Sequence, residues 1–316
     1  MKKAFEKLNL RDYGVLLGFL ALCIAISIAT PSFLGKQNIL NLLRQSSIIG
    51  IISAGMTFVI ISGNFDISVG AVAALAGAIT MKFATGGTNL FASMLLGVAI
   101  CAVIGLINGI VVAKINVPSL IATMAMVTIV RGLLLMLTGG YPITENIPIL
   151  DYIGNGYLFN IPIPVVIFFI VVLVSFIVLN KTKFGRYVYS VGGNQEASKL
   201  NCINVDSHKV KVFIINAVLA GIAGIVLTGR LGTATAIAGE GYDMDAIASV
   251  VIGGTSVAGG SGSVLKTVIG VLLMSVINNS FNLLGIDVYF QYIFKGLIIL
   301  AAVGFDSYSK KKLASR

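Results

Sequence analysis

The chain has 316 residues, 57 % hydrophobic and only 11 % charged, with a mean hydropathy of +0.99. A soluble domain carries about 25 % charged residues, so a soluble globular protein is excluded. The net charge of +10 does not point to nucleic acid, because Lys and Arg gather in loops and tails between apolar runs and no nucleic-acid module accompanies them. Cys23, Cys101 and Cys202 are scattered, and His208 is the lone histidine, which gives neither a disulfide framework nor a zinc site.

A helix needs about 20 apolar residues to cross a bilayer. In chain order, MKKAFEKLNLRD precedes a first span over 13–29. Ser27-Ile28-Ala29 mimics a signal-cleavage triplet, but Pro31 and the membrane-embedded remainder favour an uncleaved span. Further spans are expected over 47–63, 67–83, 90–113, 118–138, 161–179, 210–228, 246–259, 264–284 and 289–306. The expectation is therefore an all-α integral membrane protein with about ten transmembrane helices, in one domain over 1–316. Charge parity agrees with that count. Lys2, Lys3, Lys7 and Arg11 place the amino end in the cytoplasm, and the loop 139–160 carries Glu145 and Asp151 without Lys or Arg, as an outer loop should. The basic loop 180–209 and the tail with Lys310, Lys311, Lys312 and Arg316 are then cytoplasmic, so both termini lie inside. The eighth span is the weakest: it is 14 residues long and runs into GGTSVAGGSGS, so a broken or re-entrant helix is expected there.

Polar residues within this apolar background are the candidates for function. Asp66 and Ser68 lie in a polar break, where an acid either caps a helix or gates a polar pathway. Asn108 sits between Gly105 and Gly109, a close-packing pattern. Asn278 and Asn282, four apart, share a helix face with Asn279 beside them; they suit interhelical hydrogen bonds or the lining for a hydroxyl-rich cargo. Arg131 and Lys295, within spans, lie close enough to an outer end to snorkel. Their segments RGLLLML and KGLIILA look alike, which an internal repeat and shared apolar composition explain equally well. No relay of buried Asp, Glu or His for ion coupling is evident. The run Gly253 to Gly262 is not a phosphate loop, because Ser263, Val264 and Leu265 separate it from Lys266-Thr267. Close helix packing is the favoured reading of these glycines.

Phe184 to Ser207, FGRYVYSVGGNQEASKLNCINVDS, is polar and stands between apolar runs. Gly192 and Gly193 permit a turn, Asn194 caps, and Gln195 to Leu200 form a short helix with Glu196 in its first turn and Lys199 in its last. Asn201 suits a left-handed end, and Asp206 or Ser207 caps the next helix. Six residues are too few for an isolated helix, so this one must dock on something.

Five segments carry a resemblance: the SGNFDISVG stretch around Asp66, VPSLIATMAMVTIVRGL from Val117, GRYVYSVGGNQEASKL from Gly185, GYDMDAIASVVIGGTSVAGGSGS from Gly241, and NNSFNLLG from Asn278. Together they resemble the permease subunits of bacterial sugar-importing ABC transporters, the ribose permease type above all. The resemblance implies a multi-pass permease of the bacterial inner membrane that carries no cofactor and is not an enzyme. ATP and Mg are then bound by a separate ATPase with two fused nucleotide-binding domains. An extracytoplasmic sugar-binding protein and a second permease subunit, homodimeric or alternatively heterodimeric, complete the implied assembly. The short helix becomes the coupling helix, with Gly193, Asn194, Glu196, Ala197 and Leu200 at the ATPase contact. Two departures stand out: the family usually reads Gly-Gly-Ile-Asp at Gly63-Asn64-Phe65-Asp66, and often Ser-Gly at Asn201-Cys202. The alternatives are a permease for another small polar solute, such as a furanose-like signalling molecule, and an ion-coupled carrier acting alone.

Overall fold

The computed structural model describes residues 10–314, with side chains over 17–304. Lys2, Lys3, Lys7 and Arg316, used above to orient the ends, lie outside the described residues. The helices are α1 (Leu10–Ala29), α2 (Lys36–Ile61), α3 (Val69–Thr85), α4 (Leu90–Ala113), α5 (Ser119–Thr138), α6 (Pro148–Asn155) and α7 (Ile163–Lys181), then α8 (Lys183–Gly193), α9 (Gln195–Leu200), α10 (Val205–Leu231), α11 (Tyr242–Ile252), α12 (Val264–Leu283) and α13 (Val288–Ala314). A 3-10 turn over Pro31–Leu34 and two short ladders accompany them, β1 (Ile143–Thr144) with β4 (Thr233–Ala234), and β2 (Tyr157–Leu158) with β3 (Ile161–Pro162).

Helix ends follow local chemistry. The Asn89 side chain accepts from the amides of Phe91 and Ala92 to start α4, whereas α5 and α10 stop at Gly139 and Gly232 in left-handed conformations. Six helices, α2, α4, α5, α7, α10 and α12, are long and apolar enough to cross a membrane, and shorter apolar helices run over Leu17–Ala29, Val69–Thr85 and Val288–Gly304.

The centre of the bundle is α2, whose most apolar window is 94 % buried, with α10 beside it at 61 %. Around them pack α3, α4, α7, α11 and α12, while α5 lies further out, with half of its residues exposed. A buried membrane helix must satisfy its own polar atoms. Along α2, Ser46, Ser53 and Thr57 donate to the carbonyls of Leu42, Ile49 and Ser53 at 2.7, 2.8 and 2.7 Å. The glycines of α4 pack as their spacing suggests: a Cβ on Gly105 would sit 2.6 Å from the Phe213 carbonyl oxygen, and one on Gly109 would sit 2.7 Å from the Val210 Cα.

The two ends of the bundle are built differently. One end carries the β1–β4 ladder and α6, which lies against the end of α10 where Gly154 meets Gly229 and Arg230. The other carries α8, α9 and the loop 253–263, where the Gly260 amide donates to the Ile61 carbonyl at 2.8 Å.

The expected helix over 246–259 is formed only in part: 246–252 is helical and 253–259 belongs to a loop, so the helix is short and broken as its sequence suggested. After β4 the chain turns back into the bundle as an irregular stretch, 235–241, and only then becomes helical as α11, which ends at Ile252. Eleven residues rise about 16 Å, roughly half of a hydrocarbon core. The irregular stretch fits because Gly239, at φ +68, and Gly70 touch backbone to backbone: a Cβ on Gly70 would lie 2.3 Å from the Gly239 carbonyl oxygen. Backbone breaks therefore flank the helix on both sides, and the one before it was not expected. The Gly-rich run that follows is a folded loop with Gly254 at φ +89, and Gly259 and Gly260, at φ +85 and +74, pack against Gly63, Gly192 and Gly193.

Candidate functional site

The polar segment 184–207 is more helical than its sequence indicates. The turn expected at Gly192 and Gly193 is absent, because both close α8 in helical conformation and the chain bends at Asn194, φ −159. Gly192 is needed for close approach: a Cβ there would be 1.7 Å from the Ile61 carbonyl oxygen and 2.8 Å from the Gly260 amide nitrogen. Asn194 caps α9 as expected, its Oδ1 accepting from the Ala197 amide at 2.9 Å. Glu196 and Lys199 pair at 3.2 Å on the exposed side. Two other expectations are corrected. The left-handed residue is Cys202, φ +58, not Asn201, φ −85. The cap of α10 is Asn204, whose Oδ1 accepts from the Ser207 amide at 3.0 Å, in place of Asp206 or Ser207.

This short helix is anchored at two points. Ser190 and Ser198 hydroxyls meet at 2.9 Å, and Lys209 Nζ donates to Gln195 Oε1 at 3.0 Å. Nearby, His208 stacks on Phe184 and meets the Tyr187 ring edge-on, with centroids 5.8 and 5.1 Å away. The outward face is apolar where it is most prominent: Leu200 is 86 % exposed. A push on α9 thus reaches α8 and α10 through fixed bonds, and through Gly192 the end of α2.

Asp66, Ser68 and Asn108 form one buried cluster. Asp66 Oδ1 accepts from the Ser68 amide and hydroxyl at 2.9 and 2.6 Å, and Asn108 Nδ2 donates to Ser68 Oγ at 3.1 Å. Asp66 Oδ2 accepts from Asn216 Nδ2 at 2.9 Å, a partner that the sequence did not single out. The cluster ties the start of α3 to α4 and α10 and lines neither of the two cavities described below.

Asn278 and Asn282 make interhelical bonds. Asn278 Nδ2 donates to Asp245 Oδ2 at 3.3 Å, and Asn282 Oδ1 accepts from Gln291 Nε2 at 3.2 Å. Asn279 and Asn38 exchange reciprocal amide bonds of 2.8 and 3.1 Å between α12 and α2.

Arg131 and Lys295 do not snorkel. Arg131 Nη1 donates to the carbonyls of Ala236 and Ala238 in the irregular stretch, and Lys295 Nζ lies 3.0 Å from the Asp245 carboxylate. Buried acids therefore exist, Asp66 and Asp245 at 1 % and 3 % exposure, but each is held by polar partners. Beside Arg131 opens a cavity of about 530 Å³ that Glu240, Asp243, Met244 and Tyr292 also line. A second, of about 330 Å³, adjoins it through Glu240, Gly241, Met244 and Tyr292 and reaches Gln291 and Lys295. The signal for this site was the pair of acids in GYDMDAIAS; its importance depends on Arg131 and Lys295 converging there, which no local pattern reveals. Among the described residues no group of three or more His, Cys, Asp or Glu is placed to hold a metal ion.

Residues 38–303 match a family model described as a branched-chain amino acid transport system/permease component. The chain belongs to this permease family. Among the family's relatives, the ribose import permease of Haemophilus influenzae is 44 % identical over 93 % of this chain and 94 % of its own length. That of Bacillus subtilis is 42 % identical over 94 % of this chain and 93 % of its own length. The L-arabinose transport system permease of Escherichia coli K12 is 35 % identical over 95 % of this chain and 92 % of its own length. No solved structure matches the chain significantly. As a member of this family the protein is a multi-pass membrane permease, not an enzyme.

Proposed function

We propose that this permease is the membrane subunit of an ABC importer that carries ribose, or a closely related monosaccharide, into a bacterial cytoplasm. One observation carries the reading: three ribose import permeases align at 39–44 % identity over nearly the whole chain, against 33–35 % for the xylose and L-arabinose permeases. ATP and Mg belong to a separate ATPase with two fused nucleotide-binding domains, and a sugar-binding protein delivers the cargo from outside.

Ten passes account for the architecture, the eighth made of the irregular stretch 235–241 followed by α11. Irregular backbone is tolerated at membrane depth only against protein or water, and here Arg131 and Gly70 supply the contacts. The basic residues Lys181, Lys183, Arg186, Lys209 and Lys211 support a cytoplasmic side for α8 and α9 and, with ten passes, for both chain ends. The groove beside Arg131 opens between α5 and α13 with charged groups at membrane depth. Lipid does not cover such a surface cheaply, and a second permease subunit does.

The mechanism is mechanical. ATPase closure moves α9, gripped through Asn194, Glu196, Ala197 and the apolar Leu200, with Gly193 at its root. The bonds of Ser198 to Ser190 and of Gln195 to Lys209 carry that motion into α8 and α10. The Gly192–Ile61–Gly260 contact passes it to α2 and the loop 253–263, and so to the broken crossing. Asp66, Ser68 and Asn108 hold α3, α4 and α10 together as the fixed part against which this moves.

Reconstitution tests the assignment. Proteoliposomes holding this chain, the ATPase and the binding protein should take up ribose only with ATP. Uptake by the lone chain driven by a proton or sodium gradient would overturn the ATP-dependent reading. ATP-driven uptake of another solute with ribose excluded would overturn the sugar.

A further inference from the structure

The two adjoining cavities form one groove at depth. Arg131 stands about 18 Å along α5 from Ser119 and about 10 Å from its other end, and Lys295 stands about 10 Å along α13 from Val288. A purely structural cavity between membrane helices would be apolar. This groove instead carries acids, an amide, a phenol and two cations within one continuous lining. Its volumes of about 530 and 330 Å³ lie in the range of small-molecule sites.

The chemistry is also specific. A monosaccharide offers hydroxyls that both donate and accept, together with a C–H face. It is matched by a fork of donors, by carboxylates that accept, and by a ring against which the C–H face can lie. Arg131 uses Nη1 for the Ala236 and Ala238 carbonyls, and its Nε and Nη2 N–H groups have no acceptor among the described residues. Glu240 and Asp243 provide acceptors beside Arg131, and Glu240 and Tyr292, the latter 58 % exposed, line both cavities and so connect this part to Gln291 and Lys295. Lys295 is positioned by Asp245, which Asn278 also holds, so the cation is fixed without filling the groove.

We propose that this groove, between α5, α13 and the start of α11, is the surface over which a polyhydroxylated solute crosses, with Arg131, Glu240 and Asp243 exchanging hydrogen bonds with its hydroxyls and Tyr292 lying against its ring. The inference rests on the import reading above and adds the place where cargo meets this chain. It requires that water reach the groove, which a surface facing lipid would not allow.

Thiol accessibility tests it in the complete transporter. With Cys23 and Cys202 replaced by alanine and glycine, single variants Met244→Cys and Tyr292→Cys are treated with a charged, water-soluble methanethiosulfonate. Phe169→Cys on α7, where the side chain is 66 % exposed outside the groove, is the reference. The groove variants should react at least 10-fold faster than the reference, ribose should slow that reaction, and the attached group should block ATP-driven uptake. Rates equal to the reference, or labelling that leaves uptake intact, would overturn the groove. Arg131→Gln gives a second reading: uptake should fall at least 10-fold while binding-protein-stimulated ATP hydrolysis stays within twofold. Ribose uptake by the otherwise unaltered transporter is measured in parallel, so failure of the sugar assignment is seen separately from failure of the groove.

Discussion

Gly192 and Gly193 are adjacent, chemically identical and both at the end of α8, yet the geometry separates them sharply. A Cβ on Gly193 would meet only the Gly260 Cα, at 3.9 Å, an ordinary contact. A Cβ on Gly192 would fall 1.7 Å from the Ile61 carbonyl oxygen, where ordinary contact begins at 3.4 Å. The Ile61 oxygen is backbone and the Cβ has no torsional freedom to avoid it, so Gly192→Ala must part α8 from the end of α2 by about 1.7 Å. Overpacking of this kind costs about 1–3 kcal/mol. If the Ile61 carbonyl moves, its 2.8 Å bond from the Gly260 amide is lost as well, at about 1 kcal/mol more. The expected total is roughly 2–4 kcal/mol for Gly192→Ala, against less than about 0.5 kcal/mol for Gly193→Ala. The assay is ATP hydrolysis and solute uptake measured together in proteoliposomes, with thermal inactivation of the purified complex alongside. Gly192→Ala should lower the inactivation temperature and the solute carried per ATP, and Gly193→Ala should disturb the inactivation temperature little. Equal behaviour of the two variants would refute the placement of the α8–α2 contact at Gly192.

Other variants probe separate parts of the structure. Lys295→Met leaves Asp245 buried without its cation and should destabilise by about 3–5 kcal/mol, and adding Asp245→Asn should restore much of that in a double-mutant cycle of thermal stability. Additive losses would show that the two side chains do not interact. Cys202→Gly, at φ +58, should relieve about 1 kcal/mol of backbone strain and slow hydrogen exchange of the α9 amides; unchanged or faster exchange would contradict the left-handed geometry. Asn216→Val removes one hydrogen bond to the buried Asp66 carboxylate and should cost about 1.5–3 kcal/mol, with uptake falling only in proportion to folded protein. A changed turnover at full stability would make the Asp66 cluster a gate.

What the sequence disclosed and what it hid follow from the range of each interaction. Local chemistry was legible: Asn194 caps α9, Glu196 and Lys199 stand at opposite ends of it, and Gly105 with Gly109 packs a helix close. Each depends on neighbours a few residues away. The helical character of 183–193 was hidden because its two glycines read as a turn, whereas Gly192 serves a contact with Ile61, far away in the chain. The break before α11 was hidden for the same reason. Hydropathy marks the apolar residues after Asp245, but the irregular stretch before them is held by Gly70 and Arg131 from other helices. Arg131 and Lys295 each looked able to reach the membrane surface, and only the fold shows that both turn toward the irregular stretch and the start of α11.

The account depends on α9 being held by a partner's ATPase, and one measurement addresses that directly. Leu200 is 86 % exposed at the tip of α9, and Cys202 beside it can be replaced by glycine so that Leu200→Cys carries the reporting thiol there. In the assembled transporter, cysteines placed in turn across the ATPase surface are oxidised with that thiol under resting, ATP-bound and turnover conditions. A disulfide to the ATPase in every condition, with its formation halting uptake, is the predicted result. A Leu200→Cys thiol that stays open to water-soluble reagents and crosslinks nowhere through the whole cycle would contradict it.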